Sequence, residues 1–427
     1  MSAVSDRERV AHVLRRLSMG SHPDLVGQLP DTDTAIARAL ALPGSPSVPP
    51  AMDAPASLKA SQPAQIASLV SWWVDQMESS TRLIDERLTW FWSDHFATSL
   101  RKVRAPYLMR QQHATIRAHA TGSFADLLHA VAKDPAMLIF LDGITNTAGK
   151  VNENFGRECL ELFTMGRDAG YTQDDVVAAS RSFTGWVVNV AGTPASARLT
   201  ALGIAPWVAG FLPARHDRTV KTLLGHTGAL DLDSAIDVIL EHPATGTFIA
   251  TKLYRTLIGR DPSAPTARQL GAAFARDYQI MGLVEAIVRS PDFTADTAVR
   301  TRVRTPVEKL VGIRQAVAAG ARAAAAARRP GAVTNALRSA DYLPFLPPNV
   351  GGFPKGSLLL GPHDLVSTFG LLGTLDQPPV APMSVDALLA RFSIFDVSST
   401  TRHVLVTERD AGRRFALAAM SPEFAVT

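Results

Sequence analysis

Between residues 64 and 100 the apolar side chains return every three or four positions: Leu69, Trp72, Trp73 and Met77, then Leu83, Leu88, Phe91, Trp92 and Phe96, with His95 on the same face. That spacing matches the 3.6-residue turn of an α-helix and turns one face of each segment toward a core. The same period recurs along most of the chain. It predicts helices over residues 6–20 and 31–42, 106–120 and 124–133, 172–186, and then 231–241, 244–258, 266–278, 282–290 and 306–317. Local signals agree with these ends. Gly20 stops the first helix, Pro135 opens a short one that Gly143 closes, and Thr172 caps the next with acids in its first turn.

The stretches without this period are few. Residues 43–63 are rich in Pro, Ser and Ala and read as a linker or a strap across the surface. Val187–Ala191 and Ala197–Ala201 alternate between Gly and Pro breaks and suit a small hairpin or an irregular loop. Leu343–Pro362 is a structured loop of Pro and Gly, Val404–Val406 is strand-like, and the chain ends in a short helix. Ala318–Arg329 has high helix propensity but no defined apolar face. The expected fold is mainly α: a single compact multi-helix domain with a long Pro/Gly-rich central loop region and an optional small β-hairpin. Its parts are N-terminal helices (1–42), the linker or strap (43–63), a helical core (64–186), an irregular or hairpin region (187–230) and C-terminal helices with the Pro/Gly loop (231–427), all packed as one domain.

Composition narrows the function. With 46% hydrophobic and 19% charged residues in 427, the chain can bury a large core and is not a disordered one. A net charge of +4 with dispersed basic residues gives no reason to expect nucleic-acid binding. The lone Cys159 leaves no internal disulfide. No apolar run approaches the roughly 20 residues of a membrane span, and no signal-type apolar core follows Arg15-Arg16, so the expected location is the cytoplasm.

Chemistry-bearing residues concentrate in Lys150–Gly166. At 100° per residue, Phe155, Cys159, Leu162 and Phe163 share a core face, while Asn154, Glu158 and Glu161 form a neighbouring polar stripe that Met165 continues. Such a stripe can ligate a divalent metal or share a proton. It can equally be an ion-paired surface helix, because Arg157 reaches both Glu153 and Glu161 and Asn152 or Asn154 can cap its start. His95 is either a ligand or a core histidine bonded to a backbone carbonyl, and Asp94 points about 100° away from it. His216, Asp217 and Lys221 offer a ligand, a base and a cation, although Asp217 also suits a cap. The spacings of a phosphate loop, a nucleophile elbow, a zinc-protease helix and a dinucleotide fold are all missing.

The order of these residues resembles the bacterial family catalogued as domain of unknown function 1800. The resemblance runs through His12–Gly20, Phe91–Ser99 with Lys102-Val103, Asp134–Gly143, Asn152–Gly166, Tyr171–Val176, Phe183–Trp186, His216-Asp217 with Lys221, Lys252–Tyr254, Thr305–Glu308 and Pro347–Pro354. Departures from the family pattern fall at Ser93 or Asp94 and at Phe163, where relatives often carry His, and at Phe353, where many carry Trp. Many relatives look exported and similar to partners of a sulfatase-like family, which is the protein partner the resemblance implies.

Two readings follow. In the first, the chain is a metal-dependent hydrolytic or oxidative enzyme. Its divalent metal sits on His95, Glu158, Glu161 and His216. Glu158, Glu161 and Asp217 do the catalysis, and Asn154, Arg157 and Lys221 hold an anionic small molecule. In the second, it is a non-catalytic helical binding or assembly protein, and the same polar residues lock helices together. The readings separate on whether His95, Glu158 and His216 converge in one pocket.

Overall fold

The helix Leu83–His95 is the hub of the molecule. Almost every one of its side chains is buried, which requires neighbours on all sides. Leu88, Phe91 and Trp92 pack into one apolar cluster with Phe96, Phe124, Phe163, Phe183 and the helix Pro243–Ile258. Trp90 points the other way, into a second cluster with Trp73, Leu310, Tyr342, Phe345 and Phe353. Three successive charged residues on the hub are buried and paired: Asp85 with Arg82, Glu86 with Arg117, and Arg87 with Glu308. A buried charge survives only with such a partner.

The computed structural model describes residues 4–60, 63–318, 330–375 and 383–427. Of the expected Ala/Arg-rich helix, residues 319–329 lie outside the described residues. The described residues are mainly α-helical and form a single domain, with two small antiparallel strand pairs. No described helix is long and apolar enough to cross a membrane. The first helix, Asp6–Leu17, starts at Ser5, whose side chain accepts from Glu8 N, and buries Val10, Val13, Leu14 and Leu17 as the period required. Residues 43–57 form neither helix nor strand and are tied to neighbouring elements. Arg110 donates to the carbonyls of Pro49 and Pro50, and Trp207 Nε1 donates to Pro55 O at 2.7 Å.

Four local expectations change. The helix after Thr172 has the anticipated cap, reinforced by Asp175, but it ends at Ser182, because Gly185 takes a positive φ of 98° that stops it. Trp186–Val188 is instead a strand and pairs with Ala209–Phe211, Trp186 opposite Phe211. Ala197–Ala201, expected to be irregular or a hairpin strand, lies in the helix Ser196–Ala201, and a second pair joins Lys221–Leu223 to His226–Gly228. Strand-like Val404–Val406 lies in the helix Ser399–Thr407, where Leu405 alone is buried and Ser398 supplies the cap. β-Branched residues tolerate an exposed helix face when a cap and one core contact fix it.

Candidate functional site

The stretch 150–166 begins as the helix Asn154–Glu158 and then widens into a π-turn over Cys159–Thr164, with Met165 N donating to Leu160 O. The wider turn advances each residue by less than 100°, so the ideal-helix face no longer holds past Glu161. Met165 is therefore buried in the core and does not continue the polar stripe, while Leu162 is only partly buried. Asn154 N donates to the side-chain oxygen of Asn152 at 3.0 Å, and Asn154 Nδ2 reaches Asp142 at 3.4 Å. Arg157 donates to Glu153 at 2.8 Å, and Glu161 lies between Arg157 and Arg167 at 3.7 and 3.4 Å. Burial, and then the charge of Glu161, raises the carboxyl pKa of Glu158.

The His216–Lys221 loop is tied to the protein's own backbone. His216 Nδ1 lies 3.0 Å from Thr184 O and 3.1 Å from its hydroxyl. Burial opposes ionisation of Asp217, but bonds from Arg181 and Thr219 hold its pKa far below the carboxylate norm. Lys221 Nζ donates to three carbonyls, those of Asp217, Thr219 and Leu230. Neither the cleft beside the hub helix nor the small chamber lined by Trp73 and His113 is lined by His95, Glu158, Glu161, His216 or Asp217. Among the described residues no group of three or more His, Cys, Asp or Glu side chains is placed to hold a metal ion.

The chemistry gathers elsewhere. A cleft of about 350 Å³ opens between the hub helix, the helix Pro243–Ile258, residues 301–305 and the loop at Lys355. Trp90, Phe91 and Tyr342 supply its apolar wall; Arg87, Arg255, Arg302 and Lys355 supply positive charge against one lining acid, Asp94. Arg87 and Arg302 share a single carboxylate, Glu308, at 2.6 Å from Arg87 Nη2 and 3.0 Å from Arg302 Nη1. Burial opposes its charge, but these two guanidiniums keep Glu308 ionised far below the usual carboxylate range. Arg87 itself is pushed down to about 10, by burial first. Behind this pair, fully buried Arg16 donates to Ala298 O and Thr301 Oγ1, while its Nε and Nη1 have no partner among the described residues. Positive charge therefore exceeds negative charge around the cleft.

At its other side, Asp94 accepts from Phe353 N at 2.8 Å and pairs with Lys355 at 2.5 Å, not with adjacent His95. Buried His95 has both nitrogens engaged. Nε2 lies 3.0 Å from Phe163 O, so it carries the proton, and Nδ1 is a bare acceptor 2.7 Å from Lys252 Nζ. Burial, then the Lys252 charge, holds the His95 pKa well below its ordinary value. Lys252 is pushed down to about 7, by burial first and then by the Lys355 charge. It makes no ion pair with a carboxylate among the described residues, and its ammonium position lies 5.2 Å from the Phe248 ring. Asp94 and Arg255 line the cleft, and His95 and Lys252 lie next to them on the same two helices.

His95 is the one expected site residue that belongs to this centre, as a partner of Lys252 and a backbone carbonyl and not as a metal ligand. Arg87, Lys252, Arg302, Glu308 and Lys355 were not singled out for chemistry. Their signal was present in part. Lys252 sits between core positions Ile249 and Leu253, an unusual place for an ammonium, and Arg87 falls inside a helix buried on every side. Stretches that carried the family resemblance meet here: Arg15 and Ser18 through Arg87, Asp94 and His95, the Phe163 carbonyl, Lys252, Glu308 and the Phe353 amide. A comparison with protein families matches residues 12–426 to the one described as Protein of unknown function (DUF1800). No curated protein and no solved structure matches the chain.

Proposed function

Because the chain belongs to the DUF1800 family, a family of unknown function that spans residues 12–426, we propose a role from the cleft itself: it binds a small organic anion. The observation that supports this is the excess of guanidinium and ammonium groups over carboxylates around a cavity with an aromatic wall. Cations fixed in a partly desolvated cleft attract an anion more strongly than exposed ones do, and Arg guanidiniums match carboxylate and phosphate geometry. Trp90, Phe91 and Tyr342 give the apolar body of such a ligand a surface to cover. About 350 Å³ suits a metabolite-sized molecule rather than a peptide.

The metal-dependent hydrolase or oxidase drawn from Glu158, Glu161, His95 and His216 gains no support from these positions. His95 has no free nitrogen, Glu161 lies between two arginines and His216 is held by Thr184, so no step is assigned to a metal. The structural reading of the Asn154–Glu161 and His216–Lys221 residues as helix and loop locks draws on those same bonds.

Tryptophan fluorescence tests the proposal, since Trp90 lines the cleft. Titration with a panel of small carboxylates and organic phosphates should give saturable quenching that weakens with salt. Lys355→Glu places a repelling charge at the rim beside Asp94 and should weaken binding about tenfold or more, the equivalent of roughly 1.4 kcal/mol. Equal affinity in both proteins, or no saturable response to any anion, removes the basis of the reading.

A further inference from the structure

We propose that Lys252 is a reactive amine that forms an imine with the aldehyde or ketone carbon of an anion held in the cleft, an inference that rests on the anion-binding reading above. Four observations carry it. Lys252 Nζ is only partly exposed and its hydrogen-bond partner is the bare Nδ1 of His95, at 2.7 Å. The opposite ring nitrogen is committed to Phe163 O, so the ring cannot turn to offer Lys252 a donor. The ammonium form meets no carboxylate in an ion pair among the described residues, whereas Lys102, Lys133, Lys309 and Lys355 each do. Finally, Lys252 stands directly behind the cleft wall and not in its lining: Arg255 and Thr256, one turn along the same helix, line the cleft, and the charges of lining Lys355, Asp94 and Arg255 act on Lys252.

The surroundings favour the neutral amine. Burial, and then the facing charges of Lys355 and Arg255, bring its pKa to about 7, with Asp94 acting in the opposite direction. A free amine near neutral pH is the nucleophilic form of lysine. One N–H bonds His95 Nδ1, which leaves the lone pair free and makes His95 a positioning residue. The lone pair attacks the carbonyl carbon, a C–N bond forms, and the C=O electron pair moves to oxygen, which takes a proton. Loss of that oxygen as water, with the remaining N–H proton released, gives the C=N bond. Amine and carbonyl become imine and water, with no change of oxidation state. The ligand class that fits is a small oxo acid, its carboxylate toward the cationic side of the cleft and its carbonyl toward Lys252.

The test uses the whole protein with glyoxylate as probe and cyanoborohydride as trap, read by intact mass and peptide mapping. The expected product is N-carboxymethyl-lysine at residue 252, with labelling half-maximal near pH 7, suppressed by excess inorganic phosphate and absent in Lys252→Arg. Labelling spread over exposed Lys59, Lys150 and Lys355, with residue 252 unmodified, overturns the inference. The wild-type map decides this even if the variant fails to fold. Saturable glyoxylate quenching of tryptophan fluorescence without a trapped adduct at residue 252 refutes the imine and leaves the anion cleft standing; no quenching by any anion sinks both.

Discussion

Replacing Glu308 by Gln removes the one carboxylate shared by Arg87 and Arg302 while keeping nearly the same shape. Glu308 is 2% exposed and also closes a capping box, accepting from Thr305 N and Oγ1 at 2.9 Å. A glutamine oxygen can keep those cap bonds, so their ~1 kcal/mol contribution largely survives. The charge does not. Breaking a buried pair by neutralising one partner costs ~3–5 kcal/mol, since the opposing charge is left unpaired. Arg302 is 16% exposed at its side chain against 3% for Arg87, so solvent screens one of the two cations and the lower end, ~3 kcal/mol, is expected. Denaturant unfolding of wild type and variant measures it. A second effect separates a charge account from a packing account: the variant's cleft is more positive, so small anions should stabilise it more than they stabilise the wild type. An anion at a hundredfold excess over its Kd adds about 2.7 kcal/mol, and the gain should be larger in the variant at equal concentration. Stability within ~1 kcal/mol of wild type, or identical anion responses, would refute the reasoning. The folded pKa of Glu308 lies below its unfolded value, so its stabilisation is present above the unfolded value and is lost as pH falls through the folded one.

Other substitutions give independent checks. Lys252 titrates at about 7 when folded against 10.5 when unfolded, so the unfolded chain binds the extra proton between those values and stability rises with pH across that window; Lys252→Met should flatten the rise and stabilise the protein at pH 7, as read by unfolding curves at several pH values. Asp134 is raised to about 7, chiefly by burial, while capping Met137 N and accepting from Gln112. Its contribution is most favourable below the unfolded value of 3.8 and falls as pH rises toward 7, so Asp134→Asn should match or exceed the wild type above pH 7 in the same assay. At Gly246 a Cβ would stand 2.4 Å from the Gly271 carbonyl oxygen, where the helices Pro243–Ile258 and Ala264–Phe274 cross. Gly246→Ala should cost at least the ~1–3 kcal/mol of an overpacked core. A chamber of about 30 Å³ beside Trp73, Trp90 and Ser93 also holds His113, whose two ring nitrogens have no partner among the described residues. That volume admits a water, and a high-resolution crystal structure should show one bridging His113 and Ser93.

Periodicity made the fold legible because each amphipathic helix records its own face locally. The boundary at Ser182, the helix over Val404–Val406 and the π-turn over Cys159–Thr164 were not recorded that way. A positive-φ glycine, a single buried leucine and a change of helical pitch decided them. The site was harder to read for a related reason. Its cations come from residues 16, 87, 252, 255, 302 and 355, and nothing in the spacing of any one segment says that Glu308 must serve two arginines. The stretches richest in polar residues, Asn154–Glu161 and His216–Lys221, hold side chains that are close in sequence. That closeness is what lets them satisfy one another and the adjacent backbone.

The most direct measurement is an anomalous-difference map from crystals of the whole protein grown with selenate, an oxyanion that scatters strongly. The cleft account predicts a peak within hydrogen-bonding distance of Arg302 or Arg87 and facing Lys355, absent from crystals of Lys355→Glu grown identically. An empty cleft in wild-type crystals whose selenate peaks all lie on the outer surface would contradict it.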